Sequence, residues 1–340
     1  MAKESDHVIS GLQKELGGHI GGKGYKLAEI ERVPVGIFPF DFAIGGGIPL
    51  NRVSIIYGPE SSTKTTLLLK IIKAFQERKQ TAVLVETEYS LEPKWATELG
   101  VNMKDLIFFR PDNAEQAIDV VQAMLHADDV GLVCLDSVGS LVTAHEIESE
   151  GGKRTVAGAS MLATDLMKKI VSAFNSESKR KHFPTVVLIN QIRQKIGAMY
   201  QDPETMPGGN LLRFAASLIV RLYAKDKIVK EISDKVPAYK EVKGAIRKYK
   251  IPIASKSFEY DLAIVKQNGL RVGEVDAWPT VLAYLKATGM LAKTDKGWSC
   301  LGKKFGTIEQ VKELYDLEPA SRKAINEALF KSANLIPPEE

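Results

Sequence analysis

Residues 53–65 read VSIIYGPESSTKT, a largely apolar run that halts at Gly58 and opens into a polar turn ending in Lys64 and Thr65. The run predicts a buried strand, and the residues from Lys64 to about Arg78 predict a helix, so the turn carries strand directly into helix. That is the context in which a phosphate loop works. Successive backbone N–H groups and the start of the helix point at phosphates, a lysine reaches the β and γ oxygens, and a hydroxyl ligates Mg²⁺. Gly58, Pro59, Glu60, Ser61, Ser62, Thr63, Lys64, Thr65 and Thr66 are therefore the candidate nucleotide cradle, with Thr65 a candidate metal ligand. One residue departs from the pattern G-x-x-x-x-G-K-[ST]: Thr63 stands where the second glycine is expected. A β-branched residue resists positive φ, at a cost of roughly 1–2 kcal/mol if the turn demands it. We expect an adapted loop with negative φ at Thr63, over the alternative of a strained loop on the usual path.

Outward from this turn the alternation continues. TAVLVET, LIFF, GLVCLD, PTVVLIN and SLIVRLY read as further strands, with helical segments at 64–78, 93–99, 114–127 and 156–175. Strands separated by helices imply an α/β fold, a mostly parallel sheet covered on both faces, with the loop at its carboxyl edge. Residues 1–34 join a short helical stretch (Val8, Leu12, Leu16) to a glycine cluster, an arm that is either trim or a docking element. Residues 35–272 form the core. Within them, 225–256 change character, with ten Lys/Arg against four Asp/Glu, before FEYDLAIV resumes a strand pattern. Residues 273–340 read as helices around a small KGWSCLG element, a separate lobe.

Composition narrows the class. At 340 residues, 44% hydrophobic and 26% charged, the chain holds enough apolar mass for a large core plus a smaller one. The two cysteines, Cys134 and Cys300, exclude a disulfide framework and a four-cysteine zinc site. No apolar run approaches about 18 residues, and MAKESDHVIS lacks the apolar stretch of a secretory signal, so a cytoplasmic protein is expected, without a membrane. A net charge of +4 permits a polyanionic partner without requiring one.

Three further segments carry chemistry. GLVCLDS, residues 131–137, ends a buried strand in Asp136, which can hold the water shell of a Mg²⁺ opposite Thr65. VETEYSLEPKW, residues 85–95, places Glu86, Glu88 and Glu92 just past another strand, where a solvated acidic turn and a catalytic site are both open readings. Glu88 is the candidate for orienting or polarising an attacking water, and Trp95 is a candidate to stack on a base or a simple core aromatic. Residues 188–214, LINQIRQKIGAMYQDPETMPGGNLLRF, leave a strand and run on without helical or strand periodicity, and a long irregular loop in a compact domain is usually functional. Gln191 sits where the strand ends and can sense a γ-phosphate; Arg193, Lys195 and Arg213 suit backbone phosphates; Gly208, Gly209 and Asn210 allow close approach of a ligand.

Taken together, GPESSTKT, LEPKWATELGV, LVCLDSVGSL and NQIRQKIGAMY..PET..GGN resemble the RecA family of DNA strand-exchange ATPases, in the same order and with nearly the same spacing from about Val35 onward. The resemblance implies that Lys64 and Thr65 bind phosphate and Mg²⁺, that Asp136 is the Walker B acid of the metal site, that Glu88 activates water, that Trp95 takes the place of an aromatic on adenine, and that Gln191 couples the γ-phosphate to the loop behind it. It assigns residues about 148–158 and 192–210 to DNA-binding loops. Val156 then matches a residue that wedges between bases, Lys168 a basic contact, and Arg193, Ile196, Gly208, Gly209 and Asn210 positions in the second loop. Met161 occupies a place where the family usually has a DNA-contacting arginine. Lys248 and Lys250, in KYKIPIASK, resemble a lysine pair that reaches across a filament interface to the neighbour's ATP; Tyr200 and Phe214 match interface positions. The arm resembles a shortened docking helix, and the segment with GWSCLGKK a small DNA-gathering domain.

The implied activity is an ATP- and Mg²⁺-dependent recombinase. It would form filaments of its own copies on single-stranded DNA and pair that strand with homologous double-stranded DNA in recombination and repair, alongside single-strand-binding and loader proteins in a bacterial cytoplasm. Some bacteriophage recombinases also lack the loop glycine, which with the trimmed ends suggests a phage-encoded member. Two rivals stay open: a hexameric, helicase-like DNA motor, and an ATP-gated DNA-binding mediator in which Thr63 has abolished turnover.

Overall fold

The VSIIYG run becomes strand β1 (Val53–Gly58), buried along its whole length because it has neighbours on both edges and apolar cover on both faces. The computed structural model describes residues 4–16, 30–148, 156–176, 183–194, 204–205, 209–228, 237–266, 269–335 and 337. β1 lies mid-sheet with β2 (Thr81–Glu86), β3 (Leu106–Phe109), β4 (Val130–Asp136), β5 (Thr185–Gln191), β6 (Leu218–Lys227), β7 (Tyr239–Tyr249), β8 (Ser257–Ala263) and β9 (Val275–Asp276). The nine strands run in the order β9-β8-β7-β6-β1-β5-β4-β2-β3. From β6 to β3 all neighbours are parallel, whereas β6, β7, β8 and β9 pair antiparallel. The expected mostly parallel α/β sheet is therefore present, extended by an antiparallel wing.

Strand alternation divides the core between the two faces. Ile56 joins Leu68, Ile71 and Phe75 of the Lys64–Glu77 helix on one face, while Val53, Ile55 and Tyr57 join Val121, Leu166, Met167 and Ile170 of the Ala114–Leu125 and Val156–Ser176 helices on the other. The described parts of the basic segment, 225–228 and 237–256, belong to the wing through the end of β6 and the whole of β7. Along β7 the apolar positions Val242 and Ile246 are buried and Lys243 and Arg247 are exposed, so its charge is one solvated face of a strand. KGWSCLG contains the middle strand of a three-stranded sheet (Leu291–Thr294, Gly297–Cys300, Lys303–Phe305). Beside it the helices Trp278–Ala287, Ile308–Leu317 and Pro319–Ser332 build a third apolar cluster, which takes in Phe38 and Phe42 of the Phe38–Ala43 helix.

Candidate functional site

Parallel neighbours end together, so the carboxyl ends of β1, β5, β4 and β2 share one edge. Gly58 is in register with Gln191, and Glu86 with Asp136. At Gly58 a Cβ would lie 2.3 Å from the Leu222 carbonyl oxygen and 2.6 Å from Ser62 Oγ, so no side chain fits where the strand turns into the loop. Ser62 Oγ and Lys64 Nζ both donate to the Pro59 carbonyl, each at 2.7 Å. Burial lowers the Lys64 pKa, while Asp136, Glu88 and Glu60 pull it back up. An ammonium turned into its own loop against a neutral carbonyl is placed to exchange that carbonyl for a phosphate oxygen.

Thr63 overturns the expectation of an adapted loop. Its φ is +66° and its ψ 21°, the left-handed region, and Ser61 also has positive φ at 58°. The loop must close from Gly58 onto a helix whose first bond runs from Leu67 N–H to the Thr63 carbonyl at 3.0 Å, and that closure outweighs local preference. The Thr63 hydroxyl donates to the Ser62 carbonyl at 2.6 Å.

Thr65 Oγ1 donates to Asp136 Oδ2 at 2.7 Å, so the two oxygens expected to share a metal already touch. Burial raises the Asp136 pKa to about 6; the Thr65 hydrogen bond and Lys64 oppose the shift, and Glu88 and Glu86 add to it. Thr65 Oγ1 and Asp136 Oδ2 are hard oxygen donors, the chemistry that would hold a Mg²⁺ here.

The three glutamates of 85–95 part company. Glu86 is buried, accepting from Ser90 N–H at 2.8 Å and Arg110 Nε at 3.0 Å; Glu92 is exposed ahead of the Pro93–Glu98 helix. Glu88 alone turns toward the loop, where Oε1 accepts from Ser137 Oγ at 2.5 Å and from Gln191 Nε2 at 2.8 Å. Ser137 and Arg110 are the partners that sequence reasoning missed; Ser137 follows Asp136 directly, but Arg110 carries no motif and is found only by the strand order. Trp95 is half-buried against the core.

Lys248 and Lys250 lie elsewhere. Lys248 is in register with Ile219, which pairs with Ile55, and Lys250 N–H donates to the Ser217 carbonyl, so both stand toward the amino edge of β1, opposite to Lys64. The Lys248 ammonium donates to the carbonyls of Arg213 and Phe214, and that of Lys250 to Phe214 at 2.8 Å. These carbonyls end the Gly209–Ala215 helix, where cations are favoured. Burial and then Lys250 lower the Lys248 pKa.

With this geometry in view, residues 6–270 match the RecA N-terminal domain family. This chain belongs to the RecA family. It is 36% identical over 273 residues to Protein RecA of Streptomyces coelicolor, covering 79% of this chain and 71% of that protein. It is 32% identical over 315 residues to Protein RecA of Leptospira meyeri, covering 91% and 78%, and 38% identical over 237 residues to Protein RecA of Caulobacter vibrioides, covering 66% and 65%. A likeness to the crystal structure of the RadB recombinase, with TM-score 0.48 and 18% identity over 68% of this chain and 96% of that one, is too slight to argue from.

In this RecA-family chain the candidate DNA residues lie on, or in the segments before, the two helices that share one core through Leu166, Met167 and Leu212. Val156 opens the Val156–Ser176 helix, with its side chain outside the described residues; Met161 and Lys168 on that helix are exposed. Arg193 pairs through its backbone with Thr205 in a short two-stranded ladder. Lys195, Ile196, Tyr200 and Gly208, with most of 148–158 and 192–210, lie outside the described residues. Gly209 and Asn210, expected in an irregular loop, instead begin the Gly209–Ala215 helix, and Arg213 and Phe214 are exposed near its end.

Proposed function

We propose that this chain is a recombinase that binds ATP with Mg²⁺ in the loop after β1, assembles as a filament of its own copies on single-stranded DNA, and pairs that strand with a homologous duplex. The observation that carries the reading is the convergence of Lys64, the Thr65–Asp136 pair and the Glu88–Gln191 pair on one sheet edge, from which Gln191 leads directly into segment 192–210. In this reading the backbone N–H groups of 59–66 and Lys64 bind phosphate, and Thr65 and Asp136 hold Mg²⁺, which when bound offsets charge on the phosphate oxygens. Glu88 orients the attacking water. Gln191 exchanges its bond to Glu88 for one to the γ-phosphate and so links nucleotide state to the DNA loop. Trp95 lies against the adenine. Lys168, Arg193 and Arg213 meet DNA phosphates, giving affinity that is salt-dependent and nearly blind to sequence.

Lys248 and Lys250, at the opposite edge from their own phosphate loop, are placed to serve the neighbour's, with Phe214 beside them at the same contact. Such a head-to-tail contact is heterologous and builds a filament where its rotation does not close into a ring. Thr63 at positive φ keeps the loop on its usual path, which favours an active ATPase over a mediator without turnover. Among the described residues no helix is long and apolar enough to cross a membrane. Phosphate release measured with and without single-stranded DNA, together with negative-stain images in a non-hydrolysable ATP analogue, tests the reading. DNA-stimulated release and helical filaments are expected; six-fold rings or absent turnover would overturn it.

A further inference from the structure

Arg110 belongs to no motif of the phosphate loop, yet it closes the bend that carries Glu88. Val85 is in register with Phe109, so Glu86 at the end of β2 and Arg110 just past β3 stand side by side. The Glu86 side chain is only 2% exposed. Its Oε1 accepts from Ser90 N–H at 2.8 Å and its Oε2 from Arg110 Nε at 3.0 Å. The first bond ties residue 86 to residue 90; the second supplies the cation that a buried carboxylate needs.

Inside that bend Tyr89 takes φ +55°, a costly conformation for a bulky side chain. Its ring projects outward, 60% exposed, and the Arg110 guanidinium carbon lies over it, 4.9 Å from its centre. Phe108 of β3 meets the same cation at 5.3 Å. One guanidinium therefore grips the bend at Glu86 and again at Tyr89. On the other side Thr87 is fastened to the next strand: its N–H donates to the Asp136 carbonyl at 2.8 Å, and its Oγ1 accepts from Ser137 N–H at 3.0 Å. Glu88 lies between these fastenings, with its side chain on Ser137 and Gln191.

We propose that Arg110 is a positioning residue for hydrolysis: by clamping Glu86 and the Tyr89 ring it sets the backbone of the 86–90 bend, and with it the direction in which Glu88 faces the phosphate loop. This inference rests on the reading of Glu88 as the residue that orients the attacking water. Without the guanidinium, a buried carboxylate loses its charge partner and Tyr89 loses the contact that offsets its backbone, so the bend relaxes. The phosphate cradle, on β1 and the helix after it, has no part in this clamp. Hydrolysis should therefore suffer where binding does not.

The test is a double-mutant cycle in the full chain with Arg110→Ala, Glu88→Gln and both, read as DNA-stimulated kcat, KM for ATP, affinity for a fluorescent non-hydrolysable ATP analogue, and Tm. Arg110→Ala is expected to lower kcat roughly 10-fold while analogue affinity stays within about 2-fold of the parent, the mark of a misplaced group rather than a lost binding contact. In the Glu88→Gln background the same change should move the residual kcat by less than about 2-fold while lowering Tm as much as before, because no base is left to misplace. Should Arg110→Ala fail to fold, Arg110→Ala combined with Glu86→Gln takes its place in the cycle. Glutamine keeps an acceptor for Ser90 N–H and leaves no buried charge, and kcat should still fall because Tyr89 has lost its cover. Unchanged kcat with a lowered Tm would overturn the proposal, as would analogue affinity falling as far as kcat. If the parent hydrolyses no ATP, or Glu88→Gln keeps the parent's turnover, the reading of Glu88 falls and this one with it. If Glu88→Gln loses turnover but Arg110→Ala costs the same factor in both backgrounds, this one falls alone.

Discussion

Glu86 and Glu88 stand two residues apart and end in opposite environments. Glu86 is spent on Arg110, while Glu88 has one oxygen fixed by Ser137 and Gln191 beside the phosphate loop. Glu88→Gln keeps the shape and an acceptor oxygen but removes the base. We predict unchanged binding of an ATP analogue and intact filaments, with phosphate release reduced about 10²-fold or more, the scale of a lost general base. Wild-type turnover in that variant would end the water-activation role. Asp136 yields a pH prediction. Its pKa is raised to about 6, so its ionisation costs stability: its contribution is fully present below the ordinary carboxylate range and is lost as pH rises through about 6. Metal binding needs the ionised form. Mg²⁺-dependent nucleotide affinity should therefore fall as pH drops through about 6, approaching tenfold per unit, and Asp136→Asn should be weak and flat over the same range. An unaltered pH profile in Asp136→Asn would move the titrating group elsewhere.

At the scale of elements, legibility followed the strength of the local signal. β1, the turn and the Lys64–Glu77 helix were readable because apolar alternation, one glycine and a change of period coincide within a few residues. Thr63 was misread because backbone preference is local and loop closure is not. Gly209 and Asn210 read as loop because they close a stretch without helical or strand periodicity, but a helix's first turn tolerates them, its N–H groups having no helical partner anyway. The antiparallel wing hid behind its lysines, since alternation with charge on the solvated face looks like a change of composition. The carboxylate cluster separated only once strand order brought Arg110 beside Glu86. The two candidate DNA segments carry a prediction through Lys168, on the helix after the first, and Arg193, on the short strand that begins the second. Lys168→Ala and Arg193→Ala should each weaken binding to single-stranded DNA and reduce the slope of log affinity against log salt by about 0.7, one phosphate contact on a single strand. Unchanged slopes in both would place the DNA path on another face.

For the whole molecule, the decisive geometry is that the loop after β1 and the lysine pair at the end of β7 occupy opposite edges of one sheet, with β6 between their strands. One chain cannot bring Lys250 to its own Lys64 without unravelling the antiparallel wing, so a shared site requires a second copy joined head to tail. Such a contact is heterologous and can propagate indefinitely. Lys250→Ala should bind the ATP analogue almost as the parent does, because the loop at the far edge is untouched, yet lose DNA-stimulated hydrolysis and ordered filaments. Lys64→Ala should fail to bind nucleotide, having lost the cation the loop supplies, while keeping its lysine pair. Mixing the two variants in equal amounts makes about one junction in four complete, a Lys250→Ala loop facing a Lys64→Ala neighbour's intact pair, if assembly is random. Hydrolysis should then recover to a corresponding minor fraction of the parent rate, and only when DNA is present to align the copies. Recovery requires that both variants enter the same filament, which labelled subunits can verify. Verified co-assembly without any recovered hydrolysis would mean that each site is complete within its own chain, and that the lysines do no more than hold the carbonyl end of the Gly209–Ala215 helix.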